Sequence, residues 1–315
     1  MKLSKAVEGY FYDKQATYSP KTLGSYKFVF RHLLKFLGDV EVESITPENL
    51  KAFIIYLQQD YQPTRLSGRE GKLSPSGVDL YWKGIRSLFH WLNDSIDLPR
   101  PDLKLPRQPF MRSRVVAFTE EDVRKMVRAC EYVDVERGGK KHRQRLPEAH
   151  RDKALVLTML DTGLRIGELL RVKMEDIYME AGEITVIPYL SGKKSRPRTV
   201  QLGQTARRAV WLYVARMTSV FPTSRLFNMT DNAVRQMLKR LEERSGVPDV
   251  HPHRFRHTFA IWYLRGGGDI FTLQSLLGHS TLEMVREYLD IAQTDLALAH
   301  KRASAVDRWN SEKPL

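Results

Sequence analysis

Cysteine is almost absent from the sequence. Cys130 is the only one in 315 residues, so no internal disulfide can form and a multi-cysteine zinc site is excluded. Also missing is any apolar run of about 18 residues, the length needed to cross a bilayer as a helix. The opening MKLSKAVEGYFYDKQ lacks the apolar stretch of a secretory signal. Acidic residues are scarce: 37 Asp and Glu stand against 51 Lys and Arg, for a net charge of +14. There is no Walker-type glycine-rich loop, no internal repeat and no low-complexity tract. These absences exclude a secreted disulfide scaffold and a helical membrane protein, and they point to a reducing compartment, cytosolic or nuclear. The cationic excess suits a polyanionic partner, most simply nucleic acid. A membrane surface fits less well, because no basic amphipathic helix presents a Trp, Phe or Leu face.

What is present suffices for packed cores. Hydrophobic residues make up 42% and aromatics 10%, above the composition of a disordered chain. At about 150 residues per domain, the length suggests two domains. Residues 1–97 read as a small helical unit. Ser19-Pro20, Thr46-Pro47 and Ser74-Pro75 each pair an N-cap residue with proline at the first helical position. Behind them run apolar residues at helical spacing, such as Tyr26, Phe30, Leu33 and Leu37, or Tyr81, Ile85, Phe89 and Leu92. The four prolines of residues 97–109 (DLPRPDLKLPRQP) mark an extended interdomain linker, placed at 98–112. A second domain follows at 113–291, with a tail helix at 292–315.

Within the second domain, Thr119-x-x-Asp122 opens a helix as a capping box. Arg137 to Arg145 (RGGKKHRQR) holds five cations in nine residues with two glycines and reads as a solvated surface loop. Residues 153–172 read as one apolar helix. Glu183 to Leu190 and Arg198 to Leu202 read as strands flanking the turn Ser191-Gly192-Lys193-Lys194, a hairpin signal.

Four segments carry candidate chemistry: Thr162-Gly163-Leu164-Arg165-Ile166-Gly167-Glu168-Leu169, the turn with Lys193, His253-Arg254-Phe255-Arg256-His257, and Leu277-Gly278-His279 with Tyr288 nine residues beyond the histidine. Each alone is a weak signal, since single arginines, histidines and tyrosines usually serve surfaces and cores. Arginine stays charged and donates in a planar, bidentate fork, so two arginines suit a phosphodiester whose negative charge grows during nucleophilic attack. Tyrosine is a competent nucleophile once a base takes its proton, its ordinary pKa being about 10.

In order and spacing these segments resemble the tyrosine recombinase (phage integrase) family, which includes the Xer and Cre recombinases. The family signature of Arg, Lys, His-x-x-Arg, His or Trp, then Tyr falls on Arg165, Lys193, His253, Arg256, His279 and Tyr288. The resemblance implies a mainly helical fold with a small sheet. It comprises a SAM-like core-binding domain and a mixed α/β catalytic domain, forming a C-shaped clamp around DNA. It implies site-specific recombination of double-stranded DNA through a covalent 3′-phosphotyrosyl intermediate, as in integration, transposition or resolution of mobile elements. Arg165 and Arg256 would bind the phosphate, Tyr288 attack it, His253 act as base, Lys193 as acid and His279 as hydrogen-bond donor to a phosphate oxygen. Glu168 would orient its neighbours. His257 resembles a structural histidine of the family and stays outside the catalytic set. The register Gly-Lys-x-x-x-x-Arg favours Lys193 over Lys194. No metal and no cofactor are implied, because phosphotyrosyl exchange conserves bond energy. A homotetramer on two DNA sites, a monomer or dimer when free, no membrane partner and a cytoplasmic, nucleoid-associated location complete the expectation. A type IB topoisomerase and a non-catalytic DNA-binding regulator are the alternatives; all six side chains being present argues against the latter.

The tail carries an expectation of its own. Leu296, Leu298, Ala299, Ala303, Val306 and Trp309 lie along one stripe of a helix, which must bury that face somewhere. The family resemblance implies docking into a neighbouring protomer, closing a ring. Truncation after Thr294 should therefore leave single-site DNA binding intact and weaken cooperative pairing of sites in gel-shift assays. Synaptic assembly equal to the full chain would mean that the tail docks on its own domain.

Overall fold

In the computed structural model, residues 1–63, 71–107, 116–187, 197–279, 281–283, 285–286 and 288 are described. The chain divides into two compact units, Met1–Ser113 and Arg114–Leu315. The first contains α1 (Leu3–Lys14), α2 (Pro20–Leu37), α3 (Pro47–Gln59) and α4 (Pro75–Ile96). The last three start where side-chain caps dictate. Ser19 Oγ accepts from the Thr22 N–H at 3.2 Å, Thr46 Oγ1 from the Asn49 N–H at 3.3 Å and Ser74 Oγ from the Gly77 N–H at 3.2 Å. Each satisfies one of the four N–H groups that a helix start leaves without a partner. The expected periodic residues Phe30, Leu33, Tyr81, Ile85, Phe89 and Leu92 are in the buried core, joined by Tyr10 of α1 and by Phe53 and Leu57 of α3.

The proline-rich stretch departs from an extended linker. Pro101–Lys104 forms a short 3₁₀ turn. Leu105 is buried in the first unit's core, its carbonyl accepting from Trp82 Nε1 at 3.2 Å. Asp102, fully buried, is held by both Nε and Nη2 of Arg100 at 2.7 Å. Proline punctuates this stretch, but one apolar anchor and one satisfied carboxylate are enough to fix part of it to the domain.

The second unit runs α5 (Glu120–Glu131), β1 (Tyr132–Arg137), β2 (Lys140–Arg145), α6 (Ala149–Thr162), α7 (Ile166–Leu169), β3 (Ile177–Tyr178), β4 (Glu183–Val186), β5 (Arg198–Gln201), α8 (Gln204–Val214), α9 (Asp231–Ser245), α10 (Pro252–Arg265) and α11 (Ile270–Leu277). The capping box at Thr119 and Asp122 is formed in both directions, at 3.1 and 2.9 Å. Strands β3, β4 and β5 make an antiparallel sheet in that order, with Ile184 opposite Val200. Helix α6 lies in the core: Leu155, Val156 and Met159 are buried beside Phe255 of α10, Val210 of α8 and Cys130 of α5. Among the described residues no helix is long and apolar enough to cross a membrane.

Two expectations are corrected here. Residues 137–145 belong to a β-hairpin, not a loop: β1 and β2 pair antiparallel around Gly138 and Gly139, both at positive φ, the conformation that a two-residue hairpin turn demands. The apolar run 153–172 is not one helix. Gly163 takes the left-handed conformation (φ +60°) and ends α6, and the chain restarts as the short α7. The Lys193 turn and the tail at 292–315 lie outside the described residues.

Gly163 is locked by space as well as by conformation. A Cβ there would stand 2.3 Å from Phe259 Cδ1 and 3.0 Å from Leu277 Cδ2, whereas at Gly246, which caps α9 at φ +68°, a Cβ would meet nothing within 4 Å. Both Gly→Ala changes should cost about 1–2 kcal/mol for left-handed backbone. Gly163→Ala should cost a further ~1–3 kcal/mol for overpacking. Denaturant unfolding of the two variants checks this, with equal losses counting against the packing argument.

Candidate active site

The site is built at helix ends. An α-helix leaves its last carbonyls without intrahelical partners and carries partial negative charge there. Two such ends, those of α6 and α11, converge, each turned off by a left-handed glycine, Gly163 and Gly278. Their free carbonyls are taken by arginines. Arg256, from the first turns of α10, donates through Nη1 to Gly163 O at 2.8 Å and through Nη2 to Leu277 O at 2.7 Å. Arg198 of β5 donates through Nε to Leu276 O at 2.7 Å. Arg165 Nη1 approaches Leu277 O at 3.5 Å.

Glu168 ties these cations together. It sits at the third position of α7, where its Oε2 accepts from the Arg165 N–H at 3.0 Å. Its Oε1 accepts from Arg165 Nη1 at 3.2 Å, and its two oxygens take Arg198 in a fork at 3.3 and 2.8 Å. Burial alone would raise the Glu168 carboxyl. The hydrogen bond and charge of Arg198, with the N–H and charge of Arg165, outweigh it and hold the pKa below its ordinary value. Two guanidiniums are thus held by one carboxylate and a third, that of Arg256, lies within its field, leaving positive charge uncompensated. Arg256 registers this: with only 4% of its surface exposed, burial first and then the charge of Arg165 push its pKa down to about 10.

The histidines and the tyrosine complete the cluster. His279, the first residue beyond Gly278, places Nε2 2.7 Å from Arg256 Nη2. Burial and the charges of Arg256, Arg165 and Arg198 push its pKa to about 4. The ring is therefore neutral at neutral pH, with Nε2 accepting from the guanidinium and the proton on Nδ1. That Nδ1 is buried and has no partner among the described residues. Tyr288, 5% exposed, packs with Ala260, Ile261, Leu273, Leu277 and Val285. His257 Nδ1 meets its hydroxyl at 2.7 Å. His253, one turn earlier on α10, is exposed, its ring centre 6.4 Å from that of His257. Partial burial, with His251, Arg256 and Arg235 nearby, lowers its pKa.

The structure therefore brings Arg165, Arg256, His279, His253 and Tyr288 to one place in the second unit, and Lys193 lies outside the described residues. Sequence reasoning passed over Arg198 and set His257 aside as structural. Arg198 shares its strand face with the buried Val200, and a cation on an inward face signals a partner. His257 follows Arg256 directly and lies one turn beyond His253, which puts it on the same side of α10.

The half-buried imidazoles set a pH dependence. His257 is also held at about 4, by burial and then by His253, His251 and Arg256. The unfolded histidine titrates near 6.5, so between about pH 6.5 and 4 the unfolded chain binds protons that the folded chain refuses. Stability should be fully present above about pH 6.5 and fall as pH drops toward 4. Thermal melts of wild type and of a His257→Gln/His279→Gln double variant check this: the acid loss should be smaller in the variant, and parallel curves would count against it.

Comparison with known proteins agrees with the geometry. Residues 117–295 match the Phage integrase family, and residues 2–91 match the Phage integrase SAM-like domain. The chain is 27% identical over 292 residues to the tyrosine recombinase XerA of Saccharolobus solfataricus, covering 90% of this chain and 86% of that one. It is 34% identical over 166 residues to the tyrosine recombinase XerC of Staphylococcus aureus, covering 49% and 54%. In fold it is similar to the Tn1549 transposon integrase in complex with a circular intermediate DNA, with TM-score 0.74, 16% identity, and 97% and 100% of the two chains covered. It is also similar to the lambda integrase dimer bound to a COC′ core site, with TM-score 0.66, 17% identity, and 90% and 97% covered. A helical SAM-like unit, a second unit matching over most of its length, and clustered arginines, histidines and a tyrosine give one conclusion: the chain belongs to the phage integrase family and is a tyrosine recombinase acting in site-specific DNA recombination.

Proposed function

We propose that the cluster around Glu168 is the centre at which this chain cuts and rejoins duplex DNA. The observation that carries the reading is the meeting of Arg165, Arg256 and His279 beside a tyrosine. Two guanidiniums share the Leu277 carbonyl, and His279 offers a buried Nδ1 that lacks a partner among the described residues. A phosphodiester seated there receives two charged forks and one neutral donor, the arrangement that stabilises charge growing on its non-bridging oxygens. The Tyr288 oxygen attacks phosphorus, giving a 3′-phosphotyrosyl bond and releasing the 5′-oxygen. Lys193 protonates that leaving oxygen, and the family resemblance points to the exposed His253 or another histidine of α10 as the proton acceptor. Rejoining runs the same steps backwards.

The partner is double-stranded DNA at recombination sites, in keeping with the relatives solved on DNA and with the +14 charge. Four protomers on two sites would form the synaptic complex, from a monomer or dimer when free, in the cytoplasm with the nucleoid. The SAM-like match in the first unit favours recombination over topoisomerase-like relaxation.

The test uses a nicked suicide duplex, selected from a random-sequence pool for trapping the wild-type chain. Tyr288→Phe should abolish the covalent adduct, a loss beyond detection, while retaining DNA in gel shifts. An adduct formed by Tyr288→Phe would remove Tyr288 from the reaction.

A further inference from the structure

The hydroxyl of Tyr288 lies against His257, a residue that the family signature leaves out. Nδ1 and the phenolic oxygen are 2.7 Å apart, and the two rings are 5.4 Å apart between centres. A neutral imidazole's bare nitrogen is a better acceptor than a phenol oxygen, and a phenol is the better donor, so the hydroxyl donates to Nδ1. The contact is close-packed: Tyr288 is almost fully buried and the neighbouring Arg256 is pinned by two carbonyls and His279. His257 thus stands where the proton of the nucleophile must leave.

We propose that His257 is the base that takes the proton from Tyr288 during DNA cleavage, an inference that rests on the reading of Tyr288 as the nucleophile. As the Tyr288 oxygen bonds to phosphorus and the bond from phosphorus to the 5′-oxygen breaks, the phenolic proton passes to His257 Nδ1. The 5′-oxygen takes its proton from Lys193. On rejoining, both protons return to their donors.

The surroundings make this transfer depend on substrate. In the free chain, burial and the groups acting on His257 from its own helix and cap, namely His253, His251 and Arg256, oppose its protonation. Among the described residues after α11, the group that meets it is Tyr288 itself. His257 is then a weak base, and the phenol keeps its proton. A phosphodiester bound by Arg165 and Arg256 brings a negative charge into the same field and offsets Arg256, the guanidinium among the groups that act on His257. Basicity rises when DNA is in place, so the nucleophile is activated on the substrate and not before it. His253, with its ring 6.4 Å away and exposed, is left to contact the DNA.

The test measures single-turnover adduct formation on the selected nicked duplex between pH 6 and pH 9.5. His257→Gln keeps an acceptor beside Tyr288 but cannot take a proton. It should slow adduct formation by about 100-fold or more near neutral pH. DNA affinity should be unchanged, and the deficit should shrink as pH climbs toward the phenol's ordinary pKa of about 10. A deficit under about tenfold, or one constant across pH, overturns the assignment to His257. If Tyr288→Phe forms the adduct, the tyrosine reading itself is what fails. An independent measurement covers a poorly folded His257→Gln: histidine ring NMR on the Tyr288→Phe protein, which binds without cleaving. The His257 pKa should rise on adding the duplex, and a value unmoved by DNA overturns the coupling.

Discussion

The two oxygens of Glu168 hold the second unit's chemistry in place. They anchor Arg165 through its backbone N–H and its guanidinium, and Arg198 through a fork, so that α7, β5 and the end of α11 are tied at one carboxylate. A guanidinium proposed to bind a phosphate needs a fixed position and an open face. Arg165 meets both demands, with its side chain 37% exposed while one nitrogen is held by Glu168. Losing one partner of a buried charge pair typically costs about 3–5 kcal/mol, because the remaining charge is left uncompensated. The carboxylate is thus a positioning group for both arginines, as its place three residues after Arg165 suggests.

Around this anchor, helix ends and arginines solve each other's problem. Carbonyls that α6 and α11 cannot satisfy internally would be costly if left dry. Guanidiniums without anions would be costly too. Pairing them leaves cationic groups aimed at a common spot without filling it with acidic side chains. Glycine makes this geometry possible at both ends. At Gly278 a Cβ would come within 2.9 Å of Arg198 Nη1, so the backbone of the Leu-Gly-His segment lies directly under a guanidinium.

How much of this was legible depends on how local the determining interaction is. The starts of α2, α3 and α4 could be read from Ser19, Thr46 and Ser74 because a cap acts within three residues. Arg165, Arg256, His279 and Tyr288 were singled out through the family resemblance, and the fold brings them together. For Arg198 and His257 local pattern shows only which face each occupies; their partners are 30 and 31 residues away, and only the fold brings the pairs together. The β1–β2 hairpin was hidden for another reason. Its second strand, Lys140–Arg145, carries no apolar residue to mark a period of two, so a basic stretch that pairs with β1 read as a solvated loop. The break at Gly163 was masked by apolar residues on both sides of it, which continue a helical pattern across a turn set by its left-handed backbone and by the close approach of Phe259 and Leu277.

Cys130 lies in the core at the end of α5 and is fully buried. Burial pushes its thiol well above the ordinary range, with Asp152 adding to the effect. Thiolates, not thiols, react, so this sulfur is chemically silent in the folded protein. Oxidants and alkylating reagents have no cysteine to attack while the fold holds, and a cysteine introduced at any exposed position becomes the single reactive thiol. The chain is in that sense already prepared for site-selective labelling, with the reactivity of Cys130 itself reporting on unfolding.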